Sequence, residues 1–286
     1  PKVRGAFRSR TVDSIMAEAK RLAKAGVKEI VLIAQDTTSY GIDLSEDGKP
    51  LLTHLLKELT TIDGIQWIRM LYLYPTYFSD ELLHLIEEEP KLAKYVDIPL
   101  QHINDDILKA MNRRDSRSDI ECLLKKIRAQ AKHVTLRTSL IVGFPGETDE
   151  QFQELCEFVK DIKFDNLGVF TYSQEEGTIA GEREDQIPED VKEERYHTLM
   201  AIQAAISEEN NRDLEGTVHS AMIEEIDIDE EHGMRLAKGR LMCQAPDVDG
   251  NMFIENCRQD LAEGDIITVE VEQGFAYDVV ANEVEA

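Results

Sequence analysis

The 286 residues carry 32 Lys and Arg against 57 Asp and Glu, a net charge of −25, and hydrophobic residues make up 42%. That apolar share excludes a largely disordered chain. No apolar run approaches the ~18–20 residues needed to span a bilayer, and the opening PKVRGAFRSR lacks the apolar core of a signal segment. There is no initiator Met, so a portion of a longer protein is expected. A negative field of this size repels phosphate backbones and favours encounter with a basic partner; plain solubility is the competing and more economical explanation. Cys122, Cys156, Cys243 and Cys257 show no short metal-ligand spacing. Cys122 and Cys156 stand among apolar residues of helical pattern and are expected as buried structural thiols. A few scattered thiols fit a reducing cytoplasm.

From the N-terminus, Thr11 is expected to cap a helix whose apolar face is Ile15, Ala19, Leu22 and Ala23, ending at Gly26. The run Glu29–Ile33 reads as a strand covered on both faces. A helix with Leu52, Leu55, Leu56 and Leu59 follows, then a strand from Trp67 to Tyr72. Ser79 opens a helix with Leu82, Leu85 and Ile86 inward, and Val96–Ile98 is a short strand. Asn104 caps a short helix, and Ser118 with Glu121 is expected as a capping box for the next. Thr135–Val142 is a strand, Thr148 with Gln151 a second capping box, and Leu167–Phe170 a further strand. Pro188 starts a long helix to about Asp213 with Val191, Leu199, Ile202 and Ile206 on one stripe.

From Gly216 the texture changes to five strand-like runs: Thr217–Glu224, Arg235–Cys243, Asn251–Glu255, Asp265–Glu272 and Tyr277–Asn282. Residues 216–286 hold 17 acidic and 4 basic residues, a net of −13. The expected fold is therefore α/β. Residues 1–185 form a partial parallel (β/α) barrel with five visible strands and a first strand expected upstream. Residues 186–215 are a linking helix, and 216–286 a small five-stranded antiparallel β-barrel of oligonucleotide-binding shape.

Reactive groups of parallel barrels lie at the C-terminal ends of strands. Gln35 and Asp36, Tyr72 and Tyr74, and Gln101 and His102 occupy such ends. In LRTSLIVGF, alternation places Arg137, Ser139, Ile141 and Gly143 on one face. A buried Arg137 needs an anionic partner, and a ligand carboxylate is one candidate. Gly143, Pro145 and Gly146 allow close backbone approach, and Glu147 precedes the next helix; a plain strand–turn–helix junction is the competing reading. The seven histidines do not cluster, and His102 alone is at a strand end.

Several segments taken together carry a resemblance. PKVRGAFRSR, VLIAQDTTSYG, RMLYLYP, DIPLQHINDDILKAMNRR, LRTSLIVGFPGETDEQF and GVFTYSQEEGTIA, in this order, resemble the radical S-adenosylmethionine methylthiotransferases, in particular the RimO family that modifies a ribosomal protein. RLMCQAPDVDG and GDIITVEV resemble the TRAM domain of that family. Tyr74-Pro75 and Gln101-His102-Ile103-Asn104 match the ribosomal-protein branch, where the tRNA branch, similar to MiaB, reads more like Ser-His-Pro and Gln-Ser-Gly-Ser. The acidic tail agrees with that choice, because RNA-holding TRAM domains need positive charge.

The resemblance implies S-adenosylmethionine as cofactor and two 4Fe-4S clusters, whose ligands are absent from this chain: one on a three-cysteine loop just before Pro1, the other in a separate N-terminal domain. It implies that a deoxyadenosyl radical takes hydrogen from the β-carbon of an aspartate in the twelfth small-subunit ribosomal protein, and that a methylthio group replaces it. A flavodoxin or ferredoxin would supply electrons. Gln35 and Asp36 fall where such enzymes hold the cofactor's amino group; Ile141, Gly143 and Glu147 match the adenine-side segment. Gln101, Arg137 and Ser139 are expected to touch cofactor or substrate. Arg8 and Arg10 either shape the exit of the cluster loop or belong to the surface of the helix start. The rivals are a tRNA methylthiotransferase, a non-catalytic binding module, and a metal-dependent barrel hydrolase or aldolase.

Overall fold

The computed structural model describes residues 5–131, 133–229 and 234–285. In chain order the elements are α1 (Val12–Lys24), β1 (Glu29–Leu32), α2 (Leu52–Thr60), β2 (Trp67–Met70), α3 (Asp80–Glu88), β3 (Tyr95–Asp97), α4 (Asp105–Ala110), α5 (Arg117–Gln130), β4 (Thr135–Val142), α6 (Asp149–Ile162), β5 (Asn166–Thr171) and α7 (Glu189–Asp213). The tail adds β6 (Val218–Asp229), β7 (Met234–Leu241), β8 (Met252–Ile254), β9 (Ile266–Gly274) and β10 (Val279–Glu283). The chain divides into two compact units, residues 1–99 with 121–134 and residues 100–120 with 135–286.

In the first unit β1 and β2 run parallel, with Glu29 opposite Trp67. Thr11 caps α1 by accepting from the Ser14 amide, and Met16 with Ala19 forms its buried face. Leu52, Leu55, Leu56 and Leu59 of α2 are all buried. In α3 the buried set is Leu82, Leu83 and Ile86, so Leu83 takes the place expected for Leu85. All four residues of β2 are buried. Those of β1 are only half-buried, contrary to the expectation of a strand covered on both faces. Among the described residues β1 pairs only with β2, and its open edge borders a cleft of about 480 Å³. Beneath β2 the fully buried Arg69 donates from Nε to Glu29 Oε1 at 3.0 Å and lies 4.9 Å over the Tyr95 ring.

In the second unit β4 and β5 run parallel with Arg137 opposite Asn166. Asn104 caps α4 through the Asp106 and Ile107 amides. The capping box of α6 is the one expected, Thr148 with Gln151. That of α5 is not. Ser116 and Asp119 exchange the reciprocal bonds, at 3.0 and 3.3 Å, because Ser116 already offers its oxygen two residues before Ser118. The buried face of α7 also differs. It consists of Lys192, Arg195, Leu199, Gln203, Ile206 and Ser207, leaving Val191 and Ile202 half-buried; apolar spacing misplaces a helix whose contacts are largely hydrogen-bonded.

The tail is a closed barrel in the order β10-β8-β7-β6-β9, cored by residues such as Ala221, Ile223, Leu241, Met252 and Val269. It is mixed rather than antiparallel throughout, since β8 and β10 pair in parallel. Five strands closed in a ring force this, because alternating directions around an odd number leave one like-directed pair.

Cys156 is buried, but Cys122 is exposed. On α5 the buried positions are Ile120, Leu124 and Ile127, and a residue two places from both Ile120 and Leu124 points away from that stripe. Burial pushes the Cys156 thiol up to about 11. Iodoacetamide at pH 8 should therefore alkylate Cys122 in the native protein and spare Cys156 until denaturant is added, read by peptide mass spectrometry. Removing the partner of a buried charge costs about 3–5 kcal/mol. Glu29→Ala should accordingly lower the unfolding free energy by about 3 kcal/mol in urea titrations.

Candidate functional site

In the first unit the strand ends are held by a short hydrogen-bonded turn. Gln35 is exposed just past β1. The Asp36 carboxylate accepts from Thr38 Oγ1 at 2.5 Å, from the Ser39 amide at 3.1 Å and from the Ser39 hydroxyl, so it organises residues 36–39. This turn is joined to the end of β2. The Thr37 amide donates to Tyr72 O at 2.9 Å, Thr37 Oγ1 to Leu71 O at 2.6 Å, and the Tyr74 amide to Thr38 Oγ1 at 3.1 Å. Tyr72 has φ of 58°, a left-handed backbone unusual for a residue with a β-carbon. Buried Asp97 holds it there: its carboxylate accepts the Tyr72 amide at 2.9 Å, and its carbonyl accepts the Leu73 amide at 2.8 Å. Arg10 bonds Glu18 and Ser14 on α1, and both Arg8 and Arg10 line the cleft beside β1.

In the second unit Gln101 has φ of 73°, the same left-handed backbone at another strand end. Its amide donates to Ser139 O at 2.9 Å and its carbonyl accepts from the Ile141 amide at 2.8 Å. These bonds bring Gln101 against the β4 residues Ser139 and Ile141. Arg137 Nη1 donates to Ser139 Oγ at 3.3 Å, and its Nε lies 3.6 Å from Asp249 Oδ1. The anionic partner required for Arg137 is thus a protein carboxylate, from the β7–β8 loop of the small barrel. The Gly143 amide donates to the Glu147 carboxylate, which is fully buried. His102, also fully buried, faces Glu147 with Nε2 at 3.7 Å from Oε1.

The eight expected site residues therefore fall into two sets. Gln101, Arg137, Ser139, Ile141, Gly143 and Glu147 are brought together in the second unit, while Gln35 and Asp36 lie at the end of β1 in the first. Asp97, Asp249, Lys192 and Arg195 escaped notice in the sequence. An Asp inside the apolar strand segment YVDIPL was the one available signal.

The donor chemistry fits one of the two implied groups. Gln101 offers a carboxamide with no side-chain partner among the described residues, its backbone bonded to Ser139 and Ile141, and the Ser139 hydroxyl and the half-buried Ile141 share one face of β4. A polar pair followed by an apolar side chain suits a nucleoside with a hydroxylated sugar and a flat base. No group of three or more His, Cys, Asp or Glu among the described residues is placed to hold a metal. The described residues therefore offer no ligand set for a cluster.

Comparison with known proteins shows the family. The radical SAM superfamily matches residues 1–159 and the TRAM domain residues 216–284. The chain is 49% identical over 280 residues to ribosomal protein uS12 methylthiotransferase RimO of Geotalea uraniireducens, and 50% identical over 280 residues to that of Pelobacter propionicus. Each match covers 98% of this chain and 61% of the relative, so the chain spans about three fifths of the length of these curated relatives. Among solved structures, coproporphyrinogen III oxidase HemN of Escherichia coli, a radical SAM enzyme, is similar in fold, with a TM-score of 0.52 and 18% identity over 68% of this chain and 45% of HemN.

The left-handed backbone at Tyr72 costs about 1 kcal/mol for a residue with a β-carbon and more for a β-branched one. Differential scanning calorimetry should show Tyr72→Gly melting at or above the unsubstituted protein. Tyr72→Val should melt lower, by the equivalent of about 1–2 kcal/mol.

Proposed function

Because the chain belongs to the radical SAM superfamily, we propose that it is the cofactor-cradling core and TRAM tail of a methylthiotransferase acting on the β-carbon of an aspartate in ribosomal protein uS12. The observation that carries the reading is the strand-end set Gln101–Ser139–Ile141–Gly143, at the β4 terminus where a parallel barrel puts its chemistry. When bound, S-adenosylmethionine and iron–sulfur clusters supply the radical and sulfur chemistry, and the protein's task is binding and orientation. Gln101 and Ser139 would hydrogen-bond the cofactor's ribose or carboxylate, with Ile141 and the Gly143 backbone against its adenine. Arg137 acts through Ser139, whose hydroxyl it orients. In the first unit, Gln35 and the turn built by Asp36 present polar groups to the cofactor's amino end.

The acidic tail supports a basic protein as substrate. Between 216 and 286 the net charge is −13, a field that attracts a cationic ribosomal protein and opposes RNA. An electron donor of flavodoxin or ferredoxin type completes the system.

The direct test uses the full-length protein with reconstituted clusters, a chemical reductant and S-adenosylmethionine. Mass spectrometry should find a methylthio group on an aspartate of uS12 and none on tRNA; modification of tRNA alone would overturn the substrate assignment. Calorimetry on the same protein should show Ser139→Ala and Asp36→Ala binding S-adenosylmethionine about tenfold more weakly, the loss of one or two charge-assisted hydrogen bonds. Unchanged affinity in both would remove the residue assignments.

A further inference from the structure

The turn of residues 143–147 is held from behind by a helix more than forty residues later in the chain. Gly143 and Gly146 both have positive φ, 73° and 80°. The Gly143 amide donates to Glu147 Oε2, so the carboxylate closes the turn on itself. Glu147 is fully buried, and an isolated charge there would be costly. Arg195 of α7 offsets it. Its Nη1 lies 3.4 Å from Glu147 Oε2 and donates to the Glu147 carbonyl at 3.2 Å, while Nη2 donates to Asp149 at 2.7 Å. His102 stands beside Glu147: its Nδ1 accepts the Asn104 amide at 3.0 Å, and its Nε2 lies 3.7 Å from Glu147 Oε1, beyond hydrogen-bond distance.

One turn earlier on α7, Lys192 covers Gly143. A β-carbon on Gly143 would collide with Lys192 Cγ. Lys192 Nζ donates to the Tyr172 carbonyl just past β5 at 3.0 Å and to Glu189 at 3.1 Å. Glu147 therefore points into the protein, away from solvent, and two cations of α7 fix the backbone that the turn presents on its other side.

We propose that Arg195 and Lys192 are positioning residues that set the 143–147 backbone through Glu147 and Gly143, making the linking helix a working part of the cofactor-binding edge. This rests on the reading that the Gly143 turn meets the cofactor. Glu147 then serves by ordering the turn and need not touch the ligand. The same helix leads into the small barrel, where Asn211 donates to the Phe275 carbonyl at 2.8 Å and Glu215 accepts the Gly274 amide at 3.0 Å.

The test is amide hydrogen exchange on the full-length protein without added cofactor, followed by S-adenosylmethionine calorimetry. Arg195→Met should speed exchange of the peptide covering 143–147 at least about tenfold and weaken binding by about tenfold. Arg195→Lys should restore part of both. Arg195→Met with Glu147→Gln should slow the exchange again, because the uncompensated charge is gone. If Arg195→Met only lowers the melting temperature, with exchange at 143–147 unchanged, the clamp is refuted. If exchange responds as stated but the unsubstituted protein fails to bind S-adenosylmethionine, the clamp stands and the cofactor reading falls.

Discussion

The buried carboxylate of Glu147 is the constraint on which the second unit depends. A charge removed from water needs compensation, and here the backbone of its own turn and an arginine of a distant helix provide it. Arg195 thus joins α7 to the turn after β4, alongside the buried Leu199 and Ile206 of the same helix. The turn also passes beneath Lys192 too closely for a side chain at Gly143.

Strand ends in both units follow a common rule. Tyr72 and Gln101 adopt a left-handed backbone that side chains ordinarily avoid, and each is stabilised by bonds from neighbouring elements. Asp97 secures the first and the β4 backbone the second. Such strain persists where surrounding structure over-determines it, and it concentrates at functional sites. Both positions lie where a parallel barrel places its chemistry. Arg137 illustrates a different balance. Its carboxylate partner, Asp249, belongs to the small barrel, so this arginine ties the tail to β4 while also touching Ser139.

Much of this was legible in the sequence. Period-two and helical apolar patterns located the strands and helices, and Thr11, Ser79, Asn104 and Thr148 marked helix starts because their side chains are suited to orphan amides. The alternation of LRTSLIVGF placed Arg137, Ser139 and Ile141 on one face, and the apolar run before Gln101 marked it as a strand-end residue. What escaped was long-range and polar. Lys192 and Arg195 carry no local signal, because nothing in the sequence shows that Glu147 lies beside them. Asp249 sits in a turn cluster whose partner is more than a hundred residues away. The half-exposed β1 escaped for a related reason: apolar composition reports that a strand expects cover and is silent on what supplies it. Parity around the small barrel was open to argument from strand count alone, since five strands cannot alternate around a closed ring.

The central proposal is that the end of β4 in the second unit holds an adenosyl cofactor. Amide exchange of the full-length protein, compared with and without saturating S-adenosylmethionine, tests it most directly. The account predicts protection at 100–102 and 139–147, with the small barrel unchanged. Protection confined to the small barrel, or none at the strand ends despite measurable binding, would contradict it.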